Sequence, residues 1–248
     1  MVKDYTCVPK PLKVDFAELC GIHAGDGWMS SYGNEVGYGT SIKEIKYFKY
    51  VRNLYSKLFN FDIFRIVKRG YPYNSIELRI ASKNMQNTLL LAGFPRGPKL
   101  NKLTVPKFIY KNKSYMKSFL RGLIDTDGTV HWRRYNNTYY LILTWNTKSK
   151  TFVYEIKNLL EKLGYSPHIY STISRKTDSD RWVLWRVYLQ RKGDIKKFID
   201  TVGFSNITKT KQVLSKKKYL ERYGLAQIRT GDIYRVRVAS STINGHSR

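Results

Sequence analysis

The 248-residue sequence is poor in cysteine and in carboxylates, and it has no long apolar run. Two cysteines, Cys7 and Cys20, are too few for a disulfide framework or a cysteine-rich zinc site. A run of about 18 apolar residues, the length that usually spans a membrane, is also missing. The opening residues MVKDYTCVPK have no apolar core of a secretory signal. We therefore expect an intracellular protein that is not secreted, in the cytoplasm of a prokaryote or in an organelle.

The shortage of acids leaves a large positive charge. Lysine and arginine number 45 against 18 carboxylates, which gives a net charge of +27. An excess of this size repels itself unless a polyanion neutralises it. Hydrophobic residues at 42% and aromatic residues at 15% exclude a disordered basic tail. The charge is not gathered on one amphipathic helix, so nucleic acid is favoured over a membrane surface as the partner.

The few acids are unevenly placed along the chain. Residues 78–124 contain no carboxylate but ten basic side chains, and residues 201–220 contain five lysines and no carboxylate. Between Glu77 and Glu155 the only carboxylates are Asp125 and Asp127. The four histidines are scattered without the spacing of a metal-binding motif. Asp125 and Asp127 are therefore the lone carboxylates in a long basic stretch of the chain.

Three pairs of segments match each other in the same order, which indicates an internal duplication. The matched segments are LCGIHAGDG at 19–27 with LRGLIDTDG at 120–128, Asn53–Leu58 with Asn158–Leu163, and Gly93-Phe94 with Gly203-Phe204. The offset grows from 101 to 105 to 110 residues, as expected if loops have lengthened.

Each copy of the repeat is predicted to have the element order α-β-β-α-β-β-α. The first has helices near 15–27, 43–59 and Gly93, and strands near 29–42, 62–68 and 75–82; the second has helices near 117–128, 148–163 and Gly203, and strands near 129–146, 166–174 and 181–190. This predicts an α+β fold of two pseudo-symmetric halves, each with an antiparallel sheet. We assign residues 1–94 to the N-terminal half, 95–114 to a linker, 115–223 to the C-terminal half and 224–248 to a tail expected to be poorly ordered.

The repeated nonapeptide combines small residues with an acid. Gly21 with Gly25, and Gly122 with Thr126, would place small residues on one face of each helix, so that the two helices can pack closely. Asp26 and Asp127 then fall at helix C-termini, where the helix dipole disfavours a carboxylate by roughly 0.3–1 kcal/mol.

A bound divalent cation would remove this penalty and the repulsion between the two acids. Oxygen ligands of this kind suit Mg²⁺ or another divalent cation such as Mn²⁺, which could activate water at a phosphodiester. The alternative, that Asp-Gly is only a turn signal, is less attractive for two copies at the same place in a repeat.

The two nonapeptides resemble the signature motifs of the LAGLIDADG (DOD-type) homing endonucleases in their single-chain, two-motif form. The resemblance covers about residues 12–220. The second motif is the closer match, because the first has Ala24 where the motif often has an acid and His23 where it has an apolar residue. It implies two saddle-shaped antiparallel sheets, motif helices at the interface between the halves, and Asp26 and Asp127 as metal-binding catalytic residues. It also implies a monomeric DNA endonuclease of the intron or intein type, which cleaves both strands of a long site.

The same family places a lysine from each half near the site. Lys99 and Lys209 each lie six residues after a matched glycine, and Lys211 is an alternative to Lys209. A polar residue near the end of the second strand is also typical, and Ser41 and Asn146 occupy matched places.

DNA contacts are expected from exposed basic residues on the strands. The candidates are Arg65, Lys68, Arg69 and Arg79 in the first half, and Arg133, Arg134, Arg175, Arg181 and Arg186 in the second.

Three other functions compete with this interpretation. A nuclease of the D…E-x-K type would use Asp127 with Glu155-Ile156-Lys157, but that motif belongs on a strand and this segment is predicted to be helical. An RNA maturase that assists intron splicing would have the same fold and charge without needing catalytic acids. A DNA-binding protein that has lost cleavage would have no need of both Asp26 and Asp127.

Overall fold

The computed structural model describes residues 13–60, 64–175 and 181–225, with the backbone alone at residues 174, 175 and 181. Most of the predicted tail therefore lies outside the described residues. Among the described helices, none is long and apolar enough to cross a membrane.

The first half has the predicted order of helices and strands. Its elements are α1 (Lys13–Gly25), β1 (Gly27–Met29), β2 (Glu35–Ser41), α2 (Ile45–Phe59), β3 (Arg65–Arg69), β4 (Ser75–Ala81) and α3 (Lys83–Ala92). The ends of α3 follow from local chemistry. The Ser82 side chain accepts a hydrogen bond from the Met85 amide, and Gly93 ends the helix with a φ of 102°.

The second half repeats this order and then extends it. Its elements are α4 (Lys113–Thr126), β5 (Gly128–Tyr135), β6 (Thr138–Thr147), α5 (Lys150–Lys162), β7 (His168–Arg175), β8 (Arg181–Leu189), α6 (Lys192–Thr201) and α7 (Ile207–Leu214), followed by a 3₁₀ helix over Lys217–Tyr223. Gly164 follows α5 with a φ of 75°, the left-handed conformation that commonly ends a helix. No helix like α7 follows α3 within the described residues of the first half.

Each half contains one four-stranded antiparallel sheet. The strand orders are β1-β2-β4-β3 and β5-β6-β8-β7, so the two sheets have the same topology. Alternate residues of each central strand are buried against the helices, for example Ile76, Leu78 and Ile80 on β4. On β6, Leu141, Leu143 and Trp145 are buried at a spacing of two, and Ile142 and Thr144 between them are buried as well. The predicted α+β fold of two similar halves is confirmed.

The two motif helices pack directly against each other at the joint between the halves. A Cβ atom on Gly21 would lie 2.1 Å from the Phe119 carbonyl oxygen, and one on Gly122 would lie 2.2 Å from that of Glu18. One on Gly25 would lie 2.1 Å from the Thr126 hydroxyl. Only residues without a side chain allow the backbones of α1 and α4 to approach this closely.

The segment between the halves is packed rather than loosely extended. Helix α4 begins at Lys113, inside the segment we assigned to the linker, because the Asn112 side chain accepts the Ser114 amide and caps the helix. The Phe108 ring stacks on Phe16 of α1 at 5.6 Å. At the other end of the second half, the core extends to Leu225, which is 2% exposed.

Candidate functional site

The two motif aspartates lie together where the motif helices end. Asp26 follows α1, and Asp127 ends α4 with its amide donating to the Leu123 carbonyl. Burial and then the nearby charge of Asp127 raise the pKa of Asp26 to about 7, while Lys99 acts in the opposite direction. Partial removal from water also raises the pKa of Asp127, against the opposing charges of Lys99 and Lys209. The charge of Asp127 therefore acts on Asp26, and Lys99 and Lys209 oppose the build-up of negative charge at the two acids.

Two lysines accompany the acid pair, and the first, Lys99, lies after α3 in the segment that we assigned to the linker. The Lys99 ammonium donates to the carbonyls of His23 at 3.0 Å, Ala24 at 2.9 Å and also Gly25, so it covers the C-terminal end of α1. Burial lowers the pKa of Lys99 to about 8, against the opposing charges of Asp127 and Asp26.

The lysine of the second half is on α7. The Lys209 ammonium donates to the Gly128 carbonyl at 2.6 Å, next to Asp127. The neighbouring candidate, Lys211, is exposed. The structure therefore brings Lys209 rather than Lys211 to the acid pair.

The polar residues at the ends of the second strands differ between the halves. The Asn146 amide donates to the Asp127 carbonyl at 3.4 Å and to the Thr129 hydroxyl at 3.2 Å. Ser41 is exposed and accepts the Lys43 amide, which caps the turn before α2. An open cleft of about 320 Å³ adjoins Asp127. Lys99 and Asn146 also line this cleft.

The acid pair suits a small divalent cation. Lys99, Lys209 and Asn146 donate to main-chain carbonyls, so these hydrogen bonds leave the carboxylate oxygens of Asp26 and Asp127 available. Within the described part of the chain, no group of three or more His, Cys, Asp or Glu side chains forms a ready metal cage. Mg²⁺ typically binds one or two carboxylates and completes its shell with water and phosphate oxygens, so the pair matches its donor set.

Two residues near the acid pair were not found from the sequence. The Glu44 carboxylate accepts the Thr40 hydroxyl at 2.7 Å and the Asn206 amide at 2.8 Å, and its charge contributes to the raised pKa of Asp26. An acid at the start of a helix is common, so Glu44 had no distinctive signal. The Asn206-Ile207-Thr208 pattern before a helix was a usable cap signal for Asn206.

A buried polar layer joins the halves behind the acid pair. Glu18 on α1 accepts hydrogen bonds from the Arg121 guanidinium, at 2.8 and 3.1 Å, and from the Ser205 hydroxyl at 2.6 Å. Asp125 is 1% exposed, and one of its carboxylate oxygens accepts the Ser205 amide at 2.6 Å. Burial is the main cause that raises the pKa of Asp125 to about 8. Asp125, although two residues from Asp127, is thus part of the interior.

Three of the four basic candidates in the first half share one face of their sheet. Arg65 pairs with Arg79, and Arg69 pairs with Ser75, on the face away from the helices. Lys68 is exposed, but it pairs with the buried Ile76. Strand alternation therefore places Lys68 on the face of the sheet that packs against the helices.

Arg79 already has partners on that outer face. Its guanidinium contacts Glu77 at 2.9 Å and lies 5.6 Å from the centre of the Trp28 ring. The ring lies against Gly37, where a Cβ would come within 2.2 Å of it.

The candidates in the second half are divided in the same way. Arg133 pairs with Tyr140, and Arg186 pairs with Asn146, on the outer face of the sheet. Arg134 pairs with Tyr139, which is on the same side of β6 as the buried Leu141 and Leu143. Arg134 therefore lies on the helix-covered face. Arg175 and Arg181 pair with each other at the end of β7 and β8, and their side chains lie outside the described residues.

Comparison with protein families and curated proteins identifies the second half most clearly. Residues 114–203 match the model of the LAGLIDADG-like domain. The chain is 23% identical over 200 residues to the replication factor C small subunit of Methanocaldococcus jannaschii, covering 81% of the chain and 10% of that protein. It is 26% identical over 206 residues to the tRNA-splicing ligase RtcB of Methanopyrus kandleri, covering 76% of the chain and 20% of that protein. The chain thus spans only a tenth to a fifth of these relatives.

Solved structures match both halves together. I-WcaI bound to its DNA recognition sequence has a TM-score of 0.50 and 14% identity, with 75% of this chain and 78% of that chain covered. I-GzeII, a LAGLIDADG homing endonuclease in complex with a DNA target, has a TM-score of 0.50 and 7% identity, with 94% and 99% covered. Residues 114–203 therefore match a LAGLIDADG-like domain, and the chain as a whole shares the two-domain α+β fold of LAGLIDADG structures.

Proposed function

We propose that this chain is a site-specific endonuclease that hydrolyses phosphodiester bonds in both strands of DNA with a divalent metal. The observation that carries the proposal is the placement of Asp26 and Asp127 at the ends of the two packed motif helices, with Lys99 and Lys209 beside them. The pair lies at the joint between two sheets whose outer faces carry arginines. Neighbours of the same fold, I-WcaI and I-GzeII, are described in complex with DNA, which supports the same partner here.

The residues of the site can be given separate roles. Asp26 and Asp127 would hold Mg²⁺ or Mn²⁺, and a variant of I-DmoI, a neighbour with a TM-score of 0.50, is described with nicked target DNA in the presence of Mn²⁺. A metal held there would activate water and stabilise the leaving oxygen. Lys99 and Lys209 place positive charge where a scissile phosphate gains negative charge. The lowered pKa of Lys99, about 8, also allows it to exchange a proton near neutral pH.

The outer faces of the sheets provide the DNA-binding surface in this proposal. Arg65, Arg69, Arg133 and Arg186 lie on those faces, where phosphates or base edges would be within their reach. One chain contains both halves, so it would act as a monomer. Association with an intron or an intein belongs to the same proposal, since mobility of such an element requires cutting of a long, rare site.

Selection of cleaved sites from a plasmid library tests the proposal whatever the sequence of the target. The purified protein is incubated with a randomised-site library in Mg²⁺ or in EDTA, and the linearised plasmids are sequenced. We expect one family of related sites, with defined ends on both strands, in Mg²⁺ alone. Binding without cleavage would favour the inactive DNA-binding alternative, and preferential binding to a structured intron RNA would favour the maturase.

A further inference from the structure

Asn206 joins three elements around the second lysine. Its side chain is fully buried, and its oxygen accepts the Thr208 amide, which caps α7. Its amide group donates to the Glu44 carboxylate at 2.8 Å and to the Asp125 carbonyl at 3.1 Å. The start of α7 is therefore attached both to the motif helix of its own half and to the first half.

The position of Lys209 depends on this anchor. The Lys209 amide donates to the Asn206 carbonyl at 3.0 Å, so Lys209 lies in the first turn of α7. Its ammonium reaches the Gly128 carbonyl beside Asp127. A shift in the start of α7 would move this ammonium, and misplacement of a reacting group by about 1 Å can reduce a rate about a hundredfold.

The first half holds its lysine in a different way. Lys99 is on no helix and is fixed by carbonyls at the end of α1. Arg96 follows Gly93 by three residues, as Asn206 follows Gly203. The Arg96 guanidinium donates to the Gln86 side chain and makes no comparable contact with Asp125 or Glu44. Ser149 precedes α5 as Glu44 precedes α2. The Ser149 side chain caps its own helix by accepting the Phe152 amide. Among the described residues, the Glu44–Asn206 contact across the joint thus supports Lys209 and has no counterpart at Lys99.

We propose that Glu44 and Asn206 are positioning residues whose hydrogen bond holds Lys209 at the acid pair, so that its loss slows the cleavage of one DNA strand more than the other. The proposal rests on the endonuclease activity proposed above. Asp26 and Asp127 are shared by the site as a whole, whereas Lys209 comes from one half. A defect at Lys209 should therefore be unequal between the two strands.

Strand-resolved cleavage tests this role with matched variants. A plasmid bearing the selected target is cut in single-turnover reactions, and the two strands are followed with different fluorophores. We expect Glu44→Ala and Asn206→Ala to slow one strand by about tenfold or more, so that nicked plasmid accumulates, while target binding in Ca²⁺ changes by less than about threefold. Glu44→Gln keeps an oxygen for the Asn206 amide and should restore both strands to within about threefold of wild type.

Glu161→Ala is the control, because Glu161 is an exposed acid on α5 that pairs with Lys157; both strands should be cut at the wild-type rate. Equal slowing of both strands, or a Glu44→Gln variant as slow as Glu44→Ala, overturns the proposal. An inactive wild type would instead contradict the endonuclease function.

The contact between Glu44 and Asn206 is also tested without activity, by a double-mutant cycle on the denaturant midpoint. We expect Glu44→Ala and Asn206→Ala to be non-additive there, and strict additivity would also overturn the proposal.

Discussion

At the scale of single residues, the surroundings of each aspartate decide its role. Asp127 ends α4 beside Lys209, whereas Asp125 points into the polar layer between the halves and accepts the Ser205 amide. The repeat predicted Asp26 and Asp127, because only they recur at the same place. It could not predict the role of Asp125, since the partner that defines it is 80 residues further along the chain.

The pH dependence of stability should reveal the buried Asp125. Its pKa is raised to about 8, so the folded protein keeps a proton that the unfolded chain loses near pH 4. The free energy of unfolding should therefore fall as pH rises between about 4 and 8, by up to about 1.4 kcal/mol per pH unit from this group. Asp125→Asn has no such proton, so its stability relative to wild type should be clearly greater at pH 8 than at pH 5. Denaturant unfolding at both pH values measures this, and a difference that does not change with pH would contradict it.

At the scale of helices and strands, the spacing of residues in the sequence predicted which helix faces are buried. It did not predict which face of an edge strand is the outer one. The joint of α1 and α4 was predictable because glycines at matched positions permit close packing. The faces of the edge strand β3 were not predictable, because four of its five residues are exposed and the alternation is lost. Strand alternation alone puts Lys68 on the opposite face from Arg65 and Arg69, but which of the two faces is the outer one follows only from the pairing of Lys68 with the buried Ile76.

Substitution at the helix joint should lower stability strongly. A Cβ on Gly21 would lie 2.1 Å from a main-chain oxygen of Phe119, which cannot move aside as a flexible side chain could. We expect Gly21→Ala to lower the free energy of unfolding by about 3 kcal/mol or more. Gly193→Ala on α6 is the control, because no atom lies within 4 Å of its Cβ position, and it should raise stability by up to about 1 kcal/mol. Urea unfolding compares them, and similar losses in both variants would argue against close packing at the joint.

At the scale of the whole molecule, the two halves share a topology but differ at the site. The order of elements and the duplicated acid were predictable from the sequence. Helix α7 was not, because it is short, lysine-rich and without a counterpart among the described residues of the first half. The contact of Glu44 with Asn206 could not be predicted either, because these residues are 162 positions apart. Pseudo-symmetry thus explains the scaffold, and the differences between the halves give each lysine its own support.

The salt dependence of DNA binding should distinguish the two faces of the second sheet. Each neutralised phosphate contributes about −0.9 to the slope of log affinity against log salt concentration. Arg133 is on the outer face and Arg134 on the other, although they are neighbours in the sequence. We expect Arg133→Ala to reduce the magnitude of the slope by about 1 and Arg134→Ala to leave it unchanged. Fluorescence anisotropy at several salt concentrations measures the slopes, and equal effects of the two substitutions would contradict the assigned faces.

The rate of DNA cleavage after neutralisation of each motif acid tests the central claim most directly. Single-turnover cleavage of the selected target in Mg²⁺ is compared for the wild type, Asp26→Asn and Asp127→Asn, with binding measured in Ca²⁺. We predict that each variant loses at least about a hundredfold in cleavage of one or both strands while it still binds the target. If both variants cut both strands at the wild-type rate, the acid pair does not hold the metal for cleavage.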